Sequence, residues 1–291
     1  MRILVTGAGG QLGATVTGRF ASRADVRGFS RAMLDIADAD AVTRVMEAER
    51  PDAIINCAAY NDVDGAEDHA MDALAGNSFG VLALARAAAR AGATLVHYGT
   101  DFVFDGMATT PYTEEDAPSP QSVYASSKLL GEWFAAEAPA HYVLRVESLF
   151  GGERRRSSID RIVGSMREGT PARVFIDRTV TPSYVVDVAE ATWRLLTTSG
   201  PYGVYHAVNS GATTWHALAQ EAARILGVDA ELVPVRVRDV QLRARRPQYC
   251  ALSNEKLAKA GFAMPRWEDA LRRYLEPFAN QLRDHPANRE A

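Results

Sequence analysis

MRILVTGAGGQLG, residues 1–13, decides the reading of this chain: an apolar β-type run at Ile3–Thr6 breaks into a turn whose glycines, Gly7, Gly10 and Gly13, fall three apart. Such a turn holds a pyrophosphate. Glycine permits positive φ and close approach of the backbone to a ligand, while the unpaired N–H groups and positive dipole end of the helix that begins around Gln11 and Leu12 face the phosphates. A second motif, YASSK at 124–128, sets Tyr124 and Lys128 on one helix face. Either motif alone is common; a nucleotide turn followed by this dyad is far rarer by accident.

Outward from the turn, strand-like and helix-like stretches alternate. Apolar β-type runs occur at Ile3–Thr6, Val26–Phe29, Ala53–Asn56, Thr94–Tyr98 and Tyr142–Val146, and Ala-rich stretches such as 66–91 and 124–137 read as helices. This is the pattern of an α/β protein with a doubly wound parallel sheet of the Rossmann type, in which ligands sit beyond the carboxyl ends of the strands. The rhythm changes after residue 150, with the loop GGERRRSS, a helix over 182–197 and another near 214–226. The expected division is a dinucleotide-binding domain over 1–150, with 177–209 returning to it, and a smaller C-terminal substrate-binding domain from 151–176 and 210–291. The tail after about residue 280 reads as frayed.

Composition narrows the class. The chain has 291 residues, 47% hydrophobic and 23% charged, enough to bury a large core, and no stretch approaches a membrane helix. The two cysteines, Cys57 and Cys250, lack metal-ligand spacing and are too few for a disulfide framework, and the start of the chain lacks a signal-peptide layout, so the expected location is the cytoplasm, with no membrane partner. A formal net charge of −4 gives no reason to expect nucleic acid. No His/Asp/Glu cluster shows metal spacing, and His97 and His206 lie in apolar runs that read as packed strands.

Cofactor preference is read at the end of the second run. An NAD-preferring fold places an acid there for the ribose 2′-hydroxyl, whereas this chain has Ser30 and Arg31, which favours a 2′-phosphate and hence NADPH, with NADH an alternative. Asp35 and Ile36 are expected to flank the adenine, and Ala58, Ala59 and Tyr60, after the third run, to contact the cofactor. The chemistry follows from Thr100, Tyr124 and Lys128. A phenol, with a pKa of about 10, donates or accepts protons poorly at neutral pH unless a cation stabilises its anion. Lys128 provides that cation, one helical turn away, and Thr100, just past the 94–98 run, offers a second donor to a carbonyl oxygen. Together with reduced nicotinamide this set suits ketone reduction.

The combination of GxxGQLG (7–13), CAAYNDVDGAE (57–67), GTDFVFDG (99–106), PYTEED (111–116), YASSKLLGE (124–132) and RPQYCAL (246–252) resembles the dTDP-4-dehydrorhamnose reductase family of extended short-chain dehydrogenase/reductases, in order over nearly the whole chain. The resemblance implies NAD(P)H-dependent reduction of the C4 ketone of a nucleotide-linked 6-deoxyhexose. It puts Thr100, Tyr124 and Lys128 on the catalytic triad, Asn77 on a supporting asparagine beside the cofactor, and Asp101, Phe102, Glu147, Ser148 and Arg246 near the substrate. The Arg154–Arg156 run offers further charge for a diphosphate. Oligomeric state is left open, a homodimer included.

Three departures are specific. Where the family carries Arg-Thr-x-Trp, this chain reads Arg145, Val146, Glu147, Ser148; a common lysine is replaced by Gly65; and Gln-x-Gly-x-Pro-Thr reads Arg178, Thr179, Val180, Thr181, Pro182, Ser183. The missing aromatic predicts a polar wall at the sugar and a preferred substrate other than dTDP-4-dehydrorhamnose. Two other readings remain: a non-catalytic NADP-binding regulator resembling the β subunit of methionine adenosyltransferase, and a nucleotide-sugar epimerase or dehydratase. A dehydratase is expected to carry an acid pair beside the Thr, and Asp101 is followed by Phe102 instead.

Overall fold

Alternation along single strands builds the two faces of the sheet. Ile3 and Val5 enter one apolar cluster and Leu4 the other, and the same division separates Ala53 and Ile55 from Ile54, and Val96 from Leu95. Strands buried on both faces are the mark of a parallel sheet covered by helices. A computed structural model describes residues 1–154, 157–198 and 200–283. Arg155 and Arg156 of the arginine run, and most of the tail read as frayed, lie outside the described residues.

The central sheet contains β1 (Arg2–Thr6), β2 (Asp25–Phe29), β3 (Ala53–Asn56), β4 (Thr94–Thr100), β5 (His141–Val146) and, much later, β10 (Gly203–His206). Their order is β10-β5-β4-β3-β1-β2, every pair parallel. Helices α1 (Gln11–Phe20) and α7 (Val185–Thr198) cover one face; α2 (Ala39–Glu49) and α4 (Gly80–Ala91) cover the other. The chain reverses direction across the sheet between β1 and β3, where a doubly wound fold opens its ligand crevice.

The expected single helix over 66–91 is broken. It comprises a short turn (Gly65–Glu67), α3 (Ala70–Leu74), a π-helical turn (Ala75–Phe79) and α4. The π turn docks on α5 (Val123–Ala135): Asn77 and Ser78 bond Ser127, and a side chain at Gly131 would come within 2.0 Å of the Asn77 carbonyl oxygen. Such widened turns recur where a helix adapts to a site.

A second apolar cluster lies in the later chain. It packs α6 (Ser158–Glu168), α8 (Trp215–Leu226) and α10 (Trp267–Arg283) around β7 (Ala172–Phe175), which pairs with β12 (Leu232–Val235). Short pairs join the two parts: β6 (Leu149–Phe150) with β9 (Ser183–Tyr184), and β8 (Thr179–Val180) with β11 (Thr213–Thr214). A short helix, α9 (Glu255–Lys259), packs against β10. The segment 247–253 threads between β8 and the loop after β4, with Cys250 N–H donating to the Thr179 carbonyl and Tyr249 N–H to the Gly106 carbonyl. No helix among the described residues is long and apolar enough to cross a membrane.

Candidate active site

Close packing creates the glycine cradle. Gly7 has φ +65°, and a Cβ there would sit 2.6 Å from the backbone of Cys57 and Ala58 at the end of β3; one on Gly13 would sit 2.2 Å from the Gly7 carbonyl oxygen. Only glycine lets β1, α1 and β3 meet so tightly. Beyond them opens a cleft of about 550 Å³ lined by Gly7, Gly10, Arg31, Asp35, Ile36 and Ala58–Tyr60, with Gly9, Leu34, Asn61, Asp72 and Gly76 among residues the sequence reading missed. The cradle and cleft fit a dinucleotide: bare backbone stands at the helix N-terminus for phosphates, and apolar Leu34 and Ile36 at the far end suit a base.

Several expected contacts take other roles. Leu12 packs its side chain into the core, and Gln11 donates its amide to the Gly151 carbonyl at 2.8 Å. Asn77 is fully buried, accepting from Tyr60 N–H at 2.8 Å and donating to the Tyr60 carbonyl and the Ser127 hydroxyl at 3.0 Å, so it fixes Tyr60 in the cleft wall. Asp35, expected beside adenine, reaches back to Arg31 at 3.3 Å. A carboxylate therefore lines the cleft beside Arg31, paired with its guanidinium.

The catalytic candidates converge from β4 and α5. Ser122 caps α5 by accepting from Ala125 N–H, and Glu67 holds the Val123 N–H, which fixes the start of the helix. From there Tyr124, Lys128 and Glu132 follow at one-turn spacing on the buried face. Thr100 ends β4, caps the next turn, and donates to Asp101 Oδ1 at 3.1 Å. The Phe102 ring meets the Tyr124 ring edge-on at 5.8 Å between centroids. Burial first, and then the charge of Asp101, push the Tyr124 phenol well up, with the Thr100 hydroxyl as hydrogen-bond partner and the Arg246 charge pulling the other way. The phenol is thus held protonated.

Lys128 departs from its expected pose. Its ammonium donates to the Tyr98 carbonyl at 2.6 Å, and the group is only 3% exposed. Burial lowers its pKa to about 8, against the charge of Glu132. The ammonium is thus held on the Tyr98 carbonyl and not bonded to the phenol.

The loop 244–252 brings Arg246 to the site. It donates to Asp64 Oδ2 at 2.8 Å and stacks 5.9 Å from the Phe102 ring, as does Arg178 from β7's following loop. Glu147, expected to face the sugar, does not. Its Oε2 accepts from Thr181 N–H at 2.6 Å and from the Thr181 hydroxyl, and the residue is 2% exposed. Its strand end turns inward toward the 178–183 segment; Ser148, next along, holds a left-handed φ of +46° and stays half-buried. The polar wall expected of the pair thus reduces to Ser148.

The residue after Asp101 is Phe102 and not an acid, but the fold brings a second carboxyl group, Glu147, to Asp101. Asp101 and Glu147, together with Cys250, bring side-chain ligand atoms within 4.8 Å of one another, a clustering no local spacing reveals. Arg178 supplies positive charge there and donates to Cys250 Sγ at 3.4 Å. Burial raises Asp101 to about 6 and Glu147 well above the ordinary carboxylate range, the latter helped by the charge of Asp101. His97 and His206 are buried and bonded to Asn56 and the Ser253 carbonyl; burial keeps both neutral, His206 at about 3.

A Rossmann sheet with a glycine cradle, a Tyr–Lys pair on one helix and a Thr at the neighbouring strand end defines an extended short-chain dehydrogenase/reductase. The family model for the RmlD substrate binding domain matches residues 1–280, and the chain belongs to that family. It is 37% identical over 287 residues to the dTDP-4-dehydrorhamnose reductase of Mycobacterium tuberculosis, covering 96% of this chain and 94% of that one. It is 35% identical over 301 residues to the probable dTDP-4,6-dihydroxy-2-methyloxan-3-one 4-ketoreductase of Streptomyces antibioticus, covering 99% of each. Among solved structures, a dTDP-4-dehydrorhamnose reductase from Bacillus anthracis in complex with NADP superimposes with a TM-score of 0.91 at 32% identity, covering 95% of this chain and 99% of that one.

Proposed function

We propose that this protein uses NADPH to reduce the C4 ketone of a nucleotide-linked 6-deoxyhexose, in the cytoplasm. The observation that carries the reading is the convergence of a protonated, buried Tyr124 with Thr100 at the strand end beyond a dinucleotide cradle. Reduced nicotinamide, when bound, supplies the hydride. Tyr124 gives its phenolic proton to the carbonyl oxygen as negative charge develops there, and Thr100 offers that oxygen a second polar contact. Lys128, held on the Tyr98 carbonyl, keeps a buried positive charge one turn along the helix from Tyr124.

The smaller unit receives the nucleotide. A pocket of about 300 Å³ is lined by Arg161, Arg173, Arg178, Phe175 and Trp215 among others. Guanidinium groups suit a diphosphate and aromatic rings a base, and the Trp215 indole nitrogen is buried with no hydrogen-bond partner among the described residues. Arg178 also borders Phe102, which links this pocket to the reaction centre.

The test is NADPH consumption with dTDP-4-dehydrorhamnose and several other nucleotide 4-keto-6-deoxyhexoses, side by side. Saturable turnover of at least one is expected. Tight NADPH binding with turnover of none would overturn the reading in favour of a regulatory role.

A further inference from the structure

Thr100 stands between two proton systems, and only one belongs to the mechanism above. Beside it lie Asp101 and Glu147, 4% and 2% exposed, within 4.8 Å of each other and of the Cys250 thiol, each with one fully buried carboxyl oxygen that has no well-formed hydrogen bond among the described residues: Asp101 Oδ2 and Glu147 Oε1. The other oxygens are engaged, Asp101 Oδ1 by Thr100 and Glu147 Oε2 by Thr181. Two bare carboxylate oxygens in a dry site repel, and a buried oxygen without a partner is unfavourable; one proton placed between the groups removes both problems. Charge points the same way. Arg178 balances one carboxylate, not two, and the remaining groups that face the pair, the Cys250 thiol and the Tyr124 and Tyr249 phenols, are neutral when protonated; Arg246 is held by Asp64.

We propose that Asp101 and Glu147 form a proton-sharing dyad that holds one proton at neutral pH, and that its charge, relayed through Thr100, positions the phenolic proton of Tyr124. With one proton the dyad and Arg178 sum to zero, and Tyr124 gives up its proton against a neutral background. When the dyad loses that proton a second negative charge stands behind Thr100, and the phenol holds its own proton more tightly. Glu147 is therefore a positioning residue that acts through Asp101. The shared proton stands on the geometry alone; the effect on Tyr124 rests on the reductase reading.

Infrared difference spectroscopy of the full chain tests the first part. At neutral pH the wild type is expected to show the carbonyl stretch of a protonated, buried carboxylic acid, absent in Glu147→Gln; in Asp101→Asn the band should titrate away at lower pH, since Glu147 no longer faces a carboxylate. No such band, or one indifferent to Glu147→Gln, overturns the dyad. The second part is read from the alkaline limb of kcat against pH. Wild type should lose activity with two protons, the dyad's and that of Lys128, and Glu147→Gln with one. Equal slopes in the two proteins overturn the coupling to Tyr124. A normal band with no turnover of any nucleotide 4-keto sugar instead overturns the reductase reading, and with it the coupling, while the dyad stands.

Discussion

The cofactor cleft and the buried cluster behind Thr100 occupy neighbouring strand ends, yet they are built by opposite means. The cleft is a backbone surface: Gly7, Gly10 and Gly13 contribute the absence of side chains, and the phosphates would meet N–H groups of one helix end. The cluster is made of side chains, Asp101, Glu147, Arg178 and Cys250, drawn from four distant segments and held by Thr181 and by the threading of residues 247–253 past β8. A backbone site tolerates change around it but no added atom within it. A side-chain site tolerates local change of shape, but each group depends on the ionisation of the others.

The sharpest way to break that comparison is at Tyr124, where the two regions meet. Tyr124→Phe keeps the ring against Phe102 and removes the proton, so kcat is expected to fall at least about 10²-fold while NADPH binding by fluorescence titration stays close to wild type. Near-normal turnover would remove Tyr124 from the chemistry.

Lys128→Met probes the charge beneath the cleft, with kcat expected to fall by about 10²-fold. Its stability effect has the opposite sign. The folded pKa of about 8 lies below the ordinary 10.5, so between those values the unfolded chain binds more protons and wild-type stability rises with pH. Below pH 8 the buried ammonium is a net burden. Thermal melts at pH 7 should therefore place Lys128→Met a few degrees above wild type, and the rise between pH 8 and 10.5 should be missing from it.

Gly7→Ala tests the backbone region alone. With a left-handed φ and a Cβ 2.6 Å from the β3 backbone, it should weaken NADPH binding about tenfold or more and lower the melting temperature. Unchanged affinity would mean that the cradle does not carry the phosphates. The smallest effect is expected at Arg31, which is exposed and paired with Asp35. Arg31→Ala should weaken NADPH binding several-fold more than NADH binding, because an exposed charge pair contributes little; equal effects on both cofactors would make Arg31 a bystander.

Much of the fold was legible because its signals are local. Five of the six sheet strands lie on the runs read from periodicity, and Ala53–Asn56 agrees to the residue. The glycine turn and the Tyr124–Lys128 spacing likewise lie within single stretches of chain, so their geometry follows from one strand–turn–helix and one helix. The helix over 66–91 did not read correctly, since its π turn answers to a partner, Ser127 on α5, that lies 50 residues from Asn77. Asn77, bonded to Tyr60 and Ser127, and Asp35, which lines the cleft and pairs with Arg31 four residues away, have partners the sequence reading did not assign.

What the sequence by itself determined is therefore the dinucleotide fold, the cradle and the placing of Tyr124 and Lys128 on one helix face, each specified by residues a few positions apart whose relations the backbone enforces. Only the tertiary structure decided where Lys128 rests, that Glu147 turns inward to Thr181, and that it meets Asp101 near Arg178. Those outcomes depend on burial and on charges brought together from residues 101, 147, 178 and 250, and a carboxyl group's protonation follows its surroundings in space, which neighbours in sequence do not reveal.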